Sequence, residues 1–189
     1  MTATDPTGQR RDSAELLSDR PAGDGFTLTL HLRFRAARLD DLPKLEWYGQ
    51  YAHFRNLFRK TFREQQKGRR LMLIAECNQF PVGHIFMQTG SEKPYCTYFY
   101  SFRVMEHFRG CGIGTRLIQE AETIALTYGY RRAAIAAAKD NPGARRLYER
   151  MGYQVMGEDA GRWSYVDHEN RVRHVHEPCW VLEKSLVIR

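Results

Sequence analysis

Apolar and polar positions alternate along the chain with two distinct periods. From Phe26 the run TLTLHLRF sets Leu28, Leu30 and Leu32 against polar neighbours, the period-2 pattern of a half-buried strand. Asp40 or Asp41 then stands where it would cap a helix carrying Leu42, Leu45 and Trp47, with Pro43 in its first turn. Between His53 and Gln66 the residues Phe54, Leu57, Phe58 and Phe62 recur at spacings of three and four, which predicts a helix with one apolar face and one basic face. LMLIAEC, the dipeptide Asn78-Gln79 and PVGHIFMQ read as an antiparallel hairpin, and YCTYFYSFRV as a further strand.

The second half alternates elements. Leu117, Ile118, Ala121, Ile124 and Ala125 define a helical face that ends at Gly129, a residue suited to a left-handed cap. AAIAAA has helix-prone composition, but its brevity and its place between two helices predict a buried strand. Asn141 and Pro142 form a cap and first turn for a helix whose face is Ala144, Leu147, Tyr148 and Met151, ending at Gly152. YQVMGE and HEPCWVLEKSL supply two last strands, separated by the polar stretch DAGRWSYVDHENR.

Composition narrows the class. A chain of 189 residues, with 42% hydrophobic and 27% charged residues, suits one folded domain. Residues 1–25 are too polar to bury a core and read as a mobile tail, leaving 26–189 as the domain. No apolar run nears the roughly 18 residues that cross a bilayer, and no apolar signal segment opens the chain, so a cytoplasmic protein is expected. The net charge of +7 favours an anionic partner without naming it: phosphates, acidic proteins and RNA stay open. Cys77, Cys96, Cys111 and Cys179 lack metal or disulfide spacing, and His174-x-His176 lacks a third ligand, so no metal is expected.

The loop Arg109-Gly110-Cys111-Gly112-Ile113-Gly114-Thr115 carries the most specific signal. Three glycines just before a helix let backbone N–H groups approach an anion, and the helix dipole adds attraction. A phosphate or pyrophosphate is the natural ligand. The Lys-Ser/Thr pair of a nucleotide P-loop is missing, and the glycine spacing misses the dinucleotide fingerprint from either starting glycine. A turn that merely packs on the sheet is the alternative.

Arg109-x-x-Gly112-x-Gly114 resembles the R/Q-x-x-G-x-G/A signature of the GNAT acyltransferase superfamily. Asn141-Pro142-Gly143-Ala144-Arg145-Arg146-Leu147-Tyr148-Glu149 is similar to the family's N-x-x-A-x-x-L-Y-E segment, in the expected order and on the expected element. The resemblance implies an α/β (α+β) fold with a mixed, mostly antiparallel, splayed sheet of six or seven strands flanked by helices. It also implies an N-acetyltransferase that uses acetyl-CoA and an amine acceptor, without a covalent enzyme intermediate. On that basis residues 109–115, namely Arg109, Gly110, Cys111, Gly112, Ile113, Gly114 and Thr115, would cradle pyrophosphate. Val104 would use its backbone on the pantetheine or the thioester, Asn141 would bond pantetheine amides, and Tyr148 would assist departure of the thiolate.

One family feature is missing. The strand before the loop, Tyr98 to Val104, holds no carboxylate, so Glu106 is the first candidate base, with an ordered water, His107, Glu76 and His84 as the others. An alkyl amine of pKa about 10.4 is neutral in roughly one molecule in 2,500 at pH 7, whereas an α-amine near 8 is neutral far more often. Acceptors with a depressed pKa are therefore favoured. The stretch from Trp163 to Glu177 is expected to line an acceptor pocket or a dimer seam, and Arg55, Arg59, Lys60, Arg63, Lys67, Arg69 and Arg70 form a basic surface. Two other classes compete: an acyl-CoA-binding sensor without turnover, and a basic RNA-binding module.

Overall fold

Leu32–Ala36 (β1) pairs antiparallel with Arg70–Cys77 (β2), while Leu30 stays exposed and residues 26–28 of the expected strand lie outside the described residues. The computed structural model describes residues 29–89 and 95–186, and the expected tail at 1–25 lies outside them. The chain divides into two units, Met1–Leu30 and His31–Arg189, and all elements below belong to the second.

The helix expected after Asp40 does not form. Leu39–Asp41 and Lys44–Glu46 are separate 3-10 turns. The physical reason is Asp41, whose carboxylate accepts the Arg38 N–H at 2.6 Å and two Arg35 guanidinium bonds at 2.7 and 3.0 Å instead of capping a longer helix. Burial pushes the Asp41 carboxyl upward, but these bonds outweigh it and hold it below its ordinary range. Trp47 then turns left-handed at φ 42°, and its indole N–H donates to the Pro81 carbonyl at 2.8 Å. Leu42, Leu45 and Trp47 are buried as their spacing suggests, by turns rather than by a helix.

Arg55–Gln66 (α1) follows a 3-10 turn at Ala52–Phe54 and buries Phe58 and Phe62 behind Phe54. Its basic face is partly neutralised, since Arg55 pairs with Glu46 and both Lys67 and Arg69 with Glu64. Phe80–Gln88 (β3) returns from β2 through Asn78 and Gln79 at φ 48° and 62°, a two-residue turn with both residues left-handed. Cys96–Val104 (β4), Ile113–Thr127 (α2), Arg132–Ala138 (β5) and Pro142–Arg150 (α3) come next. AAIAAA is thus a strand, with Ala133, Ile135 and Ala137 buried.

Gln154–Asp159 (β6) and Cys179–Ser185 (β9) complete a seven-stranded sheet of order β1-β2-β3-β4-β5-β9-β6, antiparallel except for β4 and β5. The two faces carry different cores: Met72, Ile74 and Phe86 pack under α1, whereas Leu73, Ile85, Phe99 and Ile135 pack under α2 and α3. Among the described residues no helix is long and apolar enough to cross a membrane.

The segment between β6 and β9 is not a plain polar link. Arg162–Val166 (β7) and Val172–His176 (β8) form a separate hairpin whose Tyr165 and Trp163 rings lie 4.9 and 6.3 Å from Phe54. Asp167 organises its turn by accepting the Glu169 and Arg171 N–H groups and the Arg173 guanidinium. Its backbone carbonyl also accepts the Asn56 amide from α1 at 2.6 Å. The Arg171 N–H, with the Arg173 and Glu169 bonds, draws the Asp167 carboxyl down to about 2 despite its burial. A depressed carboxyl stabilises above its unfolded value and loses that contribution as pH falls through its folded one. The hairpin is therefore expected to loosen from α1 between about pH 4 and pH 2, read by Trp163 fluorescence in a Trp47→Phe/Trp180→Phe background. Asp167→Asn should remove that acid step; its persistence would show that another group governs the hairpin.

Candidate functional site

The site begins where two neighbouring strands part. β4 and β5 pair in parallel only from Cys96/Arg132 to Phe99/Ile135. Beyond that, β4 stays with β3 as far as Val104, and β5 stays with β9 as far as Ala138. A wedge opens between residues 100–104 and 136–138.

A bulge in β4 sets what faces the wedge. Ser101 sits at φ 49°, and the register slips between His84/Arg103 and Phe86/Tyr100. Tyr98 and Tyr100 stack together on the α1 side, yet Phe102 and Val104 pack with α2 and α3, because the extra residue inverts the alternation. Met105 N–H donates to the Val82 carbonyl at 2.8 Å, which makes Gly83 and Val104 a non-hydrogen-bonded pair. The N–H and carbonyl of Val104 consequently point away from β3, into the wedge. Arg109 Nε donates to that carbonyl at 3.1 Å, so the N–H is the group left for a ligand.

The glycine loop follows a 3-10 turn at Glu106–Phe108. Gly110 and Gly112 both adopt φ 79°, and Gly112 caps α2 in the left-handed conformation. The first helical bond is Arg116 N–H to the Gly112 carbonyl at 3.0 Å; among the described hydrogen bonds, no acceptor takes the N–H groups of residues 110–115. Such a cluster at the positive end of a 15-residue helix suits an anion. A Cβ on Gly114 would stand 3.1 Å from the Phe102 ring and 3.7 Å from Val104 and Leu147, so the first turn of α2 lies hard against the strand end.

The remaining candidates divide into those gathered here and those left outside. Ile113 is buried and anchors the loop in the core, Thr115 is half-buried, and Cys111 is exposed. Asn141 caps α3 by accepting the Ala144 N–H at 3.0 Å. Tyr148, 4% exposed, brings its ring to 6.1 Å from Phe102, and burial, with Tyr98 nearby, raises its phenol well above the ordinary value. Glu106 is exposed in the turn after the strand. Glu76 is spoken for, since Arg35 Nε donates to it at 2.6 Å in a triad with Asp41.

His84 is fully buried, with Nε2 3.5 Å from Ser101 Oγ. Burial and the Arg103 charge hold it neutral and far below its ordinary value. Arg103, which the sequence pattern did not single out, occupies the opposite face from Val104; the only signal for it is a lone cation in the apolar run YSFRV.

Residues 35–153 match the model of the acetyltransferase (GNAT) family. The chain belongs to that family. Curated relatives include the 5-NmdU N-acetyltransferase of Pseudomonas phage PaMx11, 37% identical over 65 residues, which cover 34% of this chain and 44% of that protein. The uncharacterized N-acetyltransferase YesJ of Bacillus subtilis (strain 168) is 32% identical over 72 residues, 38% of this chain and 40% of that one. The matches thus span less than half the length of either relative. Among solved structures, an N-acetyltransferase from Staphylococcus aureus Mu50 shares the GNAT fold at a TM-score of 0.65, with 17% identity over 83% of this chain and 99% of that one.

The left-handed cap should be measurable by itself. No atom lies within 4 Å of a Cβ built on Gly112, so substitution there meets a conformational cost and no clash. Gly112→Ala is expected to lower stability by about 1–2 kcal/mol in denaturant unfolding, and Gly112→Asn by less. An alanine variant as stable as the parent would contradict the observed backbone.

Proposed function

We propose that this family member transfers an acetyl group from acetyl-CoA to an amine by direct attack. The observation that carries the reading is the Val104 N–H facing the wedge beside six loop N–H groups without an acceptor. The match of these groups to a pyrophosphate and a thioester supports acetyl-CoA as donor, and a cytoplasmic location suits that cosubstrate. That both curated relatives are named N-acetyltransferases supports an amine as acceptor.

In this reading acetyl-CoA supplies an activated acyl group, and the chain holds and polarises it. The N–H groups of residues 110–115, with the α2 dipole, hold the pyrophosphate, and Arg109 acts indirectly by fixing the Val104 carbonyl. The Asn141 side-chain amide bonds the pantetheine arm while its oxygen keeps the helix cap. The Val104 N–H donates to the oxygen that gains charge during attack. The Tyr148 phenol donates to the departing sulfur.

Because burial raises the phenol, full proton transfer to a thiolate of ordinary pKa about 8.5 is strongly uphill. The same dry surroundings raise the thiolate's proton affinity, which narrows that gap. Glu106 takes the ammonium proton through water at the mouth of the wedge; His84, neutral and beside a cation, is a poor base. Without a carboxylate on the strand before the loop, amines of depressed pKa are favoured.

Acetyl-CoA at 100 times its Kd is expected to raise Tm by roughly 5–11 °C, the equivalent of about 2.7 kcal/mol. Gly112→Asp should abolish this shift, because it adds a negative charge where pyrophosphate binds. Tyr148→Phe should keep the shift and lower kcat about 100-fold, at the low end for a positioned acid. No shift in the parent protein would refute the donor assignment, and an unchanged kcat in Tyr148→Phe would refute the role of the phenol.

A further inference from the structure

Arg103 is a cation held in an aromatic wall with no ion-paired carboxylate among the described residues. The Ser101 bulge turns its side chain onto the α1 face, where the guanidinium carbon lies 4.8 Å from the Tyr51 ring centroid and 4.9 Å from that of Phe54. Nη1 donates to Ser101 Oγ at 2.6 Å. Tyr165 and Trp163 from the β7–β8 hairpin continue the wall beyond Phe54.

No carboxylate among the described residues forms an ion pair with Arg103; Glu177 acts on it only as a more distant charge. Burial lowers the guanidinium from its ordinary value, and Tyr51 and Glu177 offset this only in part. His84 is held neutral, His53 is pushed down by burial and by Arg103, and the nearby Asp167 carboxylate is committed to Arg173 and two backbone N–H groups. Rings and the hydroxyls of Ser101 and Tyr51 are incomplete substitutes for a counter-charge in a dry setting. A cation so placed is stabilised further by a ligand that brings a negative charge.

The geometry points to an acceptor that carries its own anionic group, a carboxylate or a phosphate, and binds it at Arg103. This rests on the acetyl-transfer reading of the wedge and specifies its substrate class. Arg103 and Val104 are consecutive, so the guanidinium on the α1 face and the Val104 N–H in the wedge belong to one strand end. An acceptor whose anion stays with Arg103 must span about the length of that side chain to bring its amine to the Val104 amide. The acceptor is therefore an amino acid-like or aminoalkyl phosphate-like molecule or chain end, with amine and anion on one short chain.

Two matched pairs of amines separate charge from shape: glycylphenylalanine against glycylphenylalaninamide, and O-phosphoethanolamine against ethanolamine. With the full-length protein and acetyl-CoA, the anionic member of at least one pair is expected to have a kcat/KM roughly 10- to 150-fold higher, the range for a charge-assisted bond. Which pair responds distinguishes carboxylate from phosphate. Arg103→Met should erase the preference through KM, and Arg103→Lys should restore part of it, while the acetyl-CoA-induced Tm shift stays at its parent value and reports an intact fold.

Calorimetric titration of the same amines into the protein without acetyl-CoA reads Arg103 independently of turnover. If acetyl-CoA produces no Tm shift but the anionic amines bind through Arg103, the donor reading fails and the anion site stands. If neither anionic amine outperforms its neutral partner in turnover or binding, or if Arg103→Met keeps the preference, the anion site is refuted.

Discussion

The divergence of β4 from β5 after Phe99/Ile135 is the constraint on which the site depends. A parallel pair that stayed together would spend the backbone groups of residues 100–104 on sheet bonds. Divergence alone would not suffice, because the orientation of those groups is set by one extra residue. Ser101 inserts that residue, sends Phe102 and Val104 to the helix α2 face and Arg103 to the α1 face, and aims the Val104 N–H into the opening. The two sides of this strand end then differ, the glycine loop on one and Arg103 with its rings on the other.

The surrounding elements hold that strand end in place. The close approach of Gly114 to Phe102 and Val104 brings the positive end of α2 to the wedge, and Arg109 ties the loop to the Val104 carbonyl. On the other face, the β7–β8 hairpin is fastened to α1 through Asp167 and Asn56 and lays Tyr165 against Phe54. The charge pattern divides the same way. The loop offers uncharged N–H dipoles, whereas the opposite face offers a formal cation surrounded by rings.

Much of this was legible in the sequence wherever a local signal and the global fold agree. Asn78-Gln79 between apolar runs, AAIAAA between two helices, and Asn141-Pro142 ahead of a helical face each formed what their chemistry demands. Gly112 took the left-handed cap that makes glycine necessary there. Three features were not legible because local periodicity and propensity do not encode them. Asp41 reads as a helix cap, but Arg35 and Arg38 draw it into a turn, and Arg35 also removes Glu76 from the pool of bases. The polar stretch after β6 becomes a hairpin because Asp167 organises its turn and Phe54 offers a surface. The bulge at Ser101 leaves no local trace, since Tyr98, Tyr100, Phe102 and Val104 alternate as an uninterrupted strand would, and with it Arg103 went unnoticed.

The central claim is that one strand-end amide and one loop bind the same molecule. Amide NMR of the 15N-labelled protein during titration with acetyl-CoA tests this most directly. The account predicts that the Val104 amide and those of residues 110–115 shift along one saturation curve, with smaller movements at Asn141 and little change in the β7–β8 hairpin. Shifts confined to the hairpin or the α1 face, or a loop response that leaves Val104 unmoved at saturation, would contradict it.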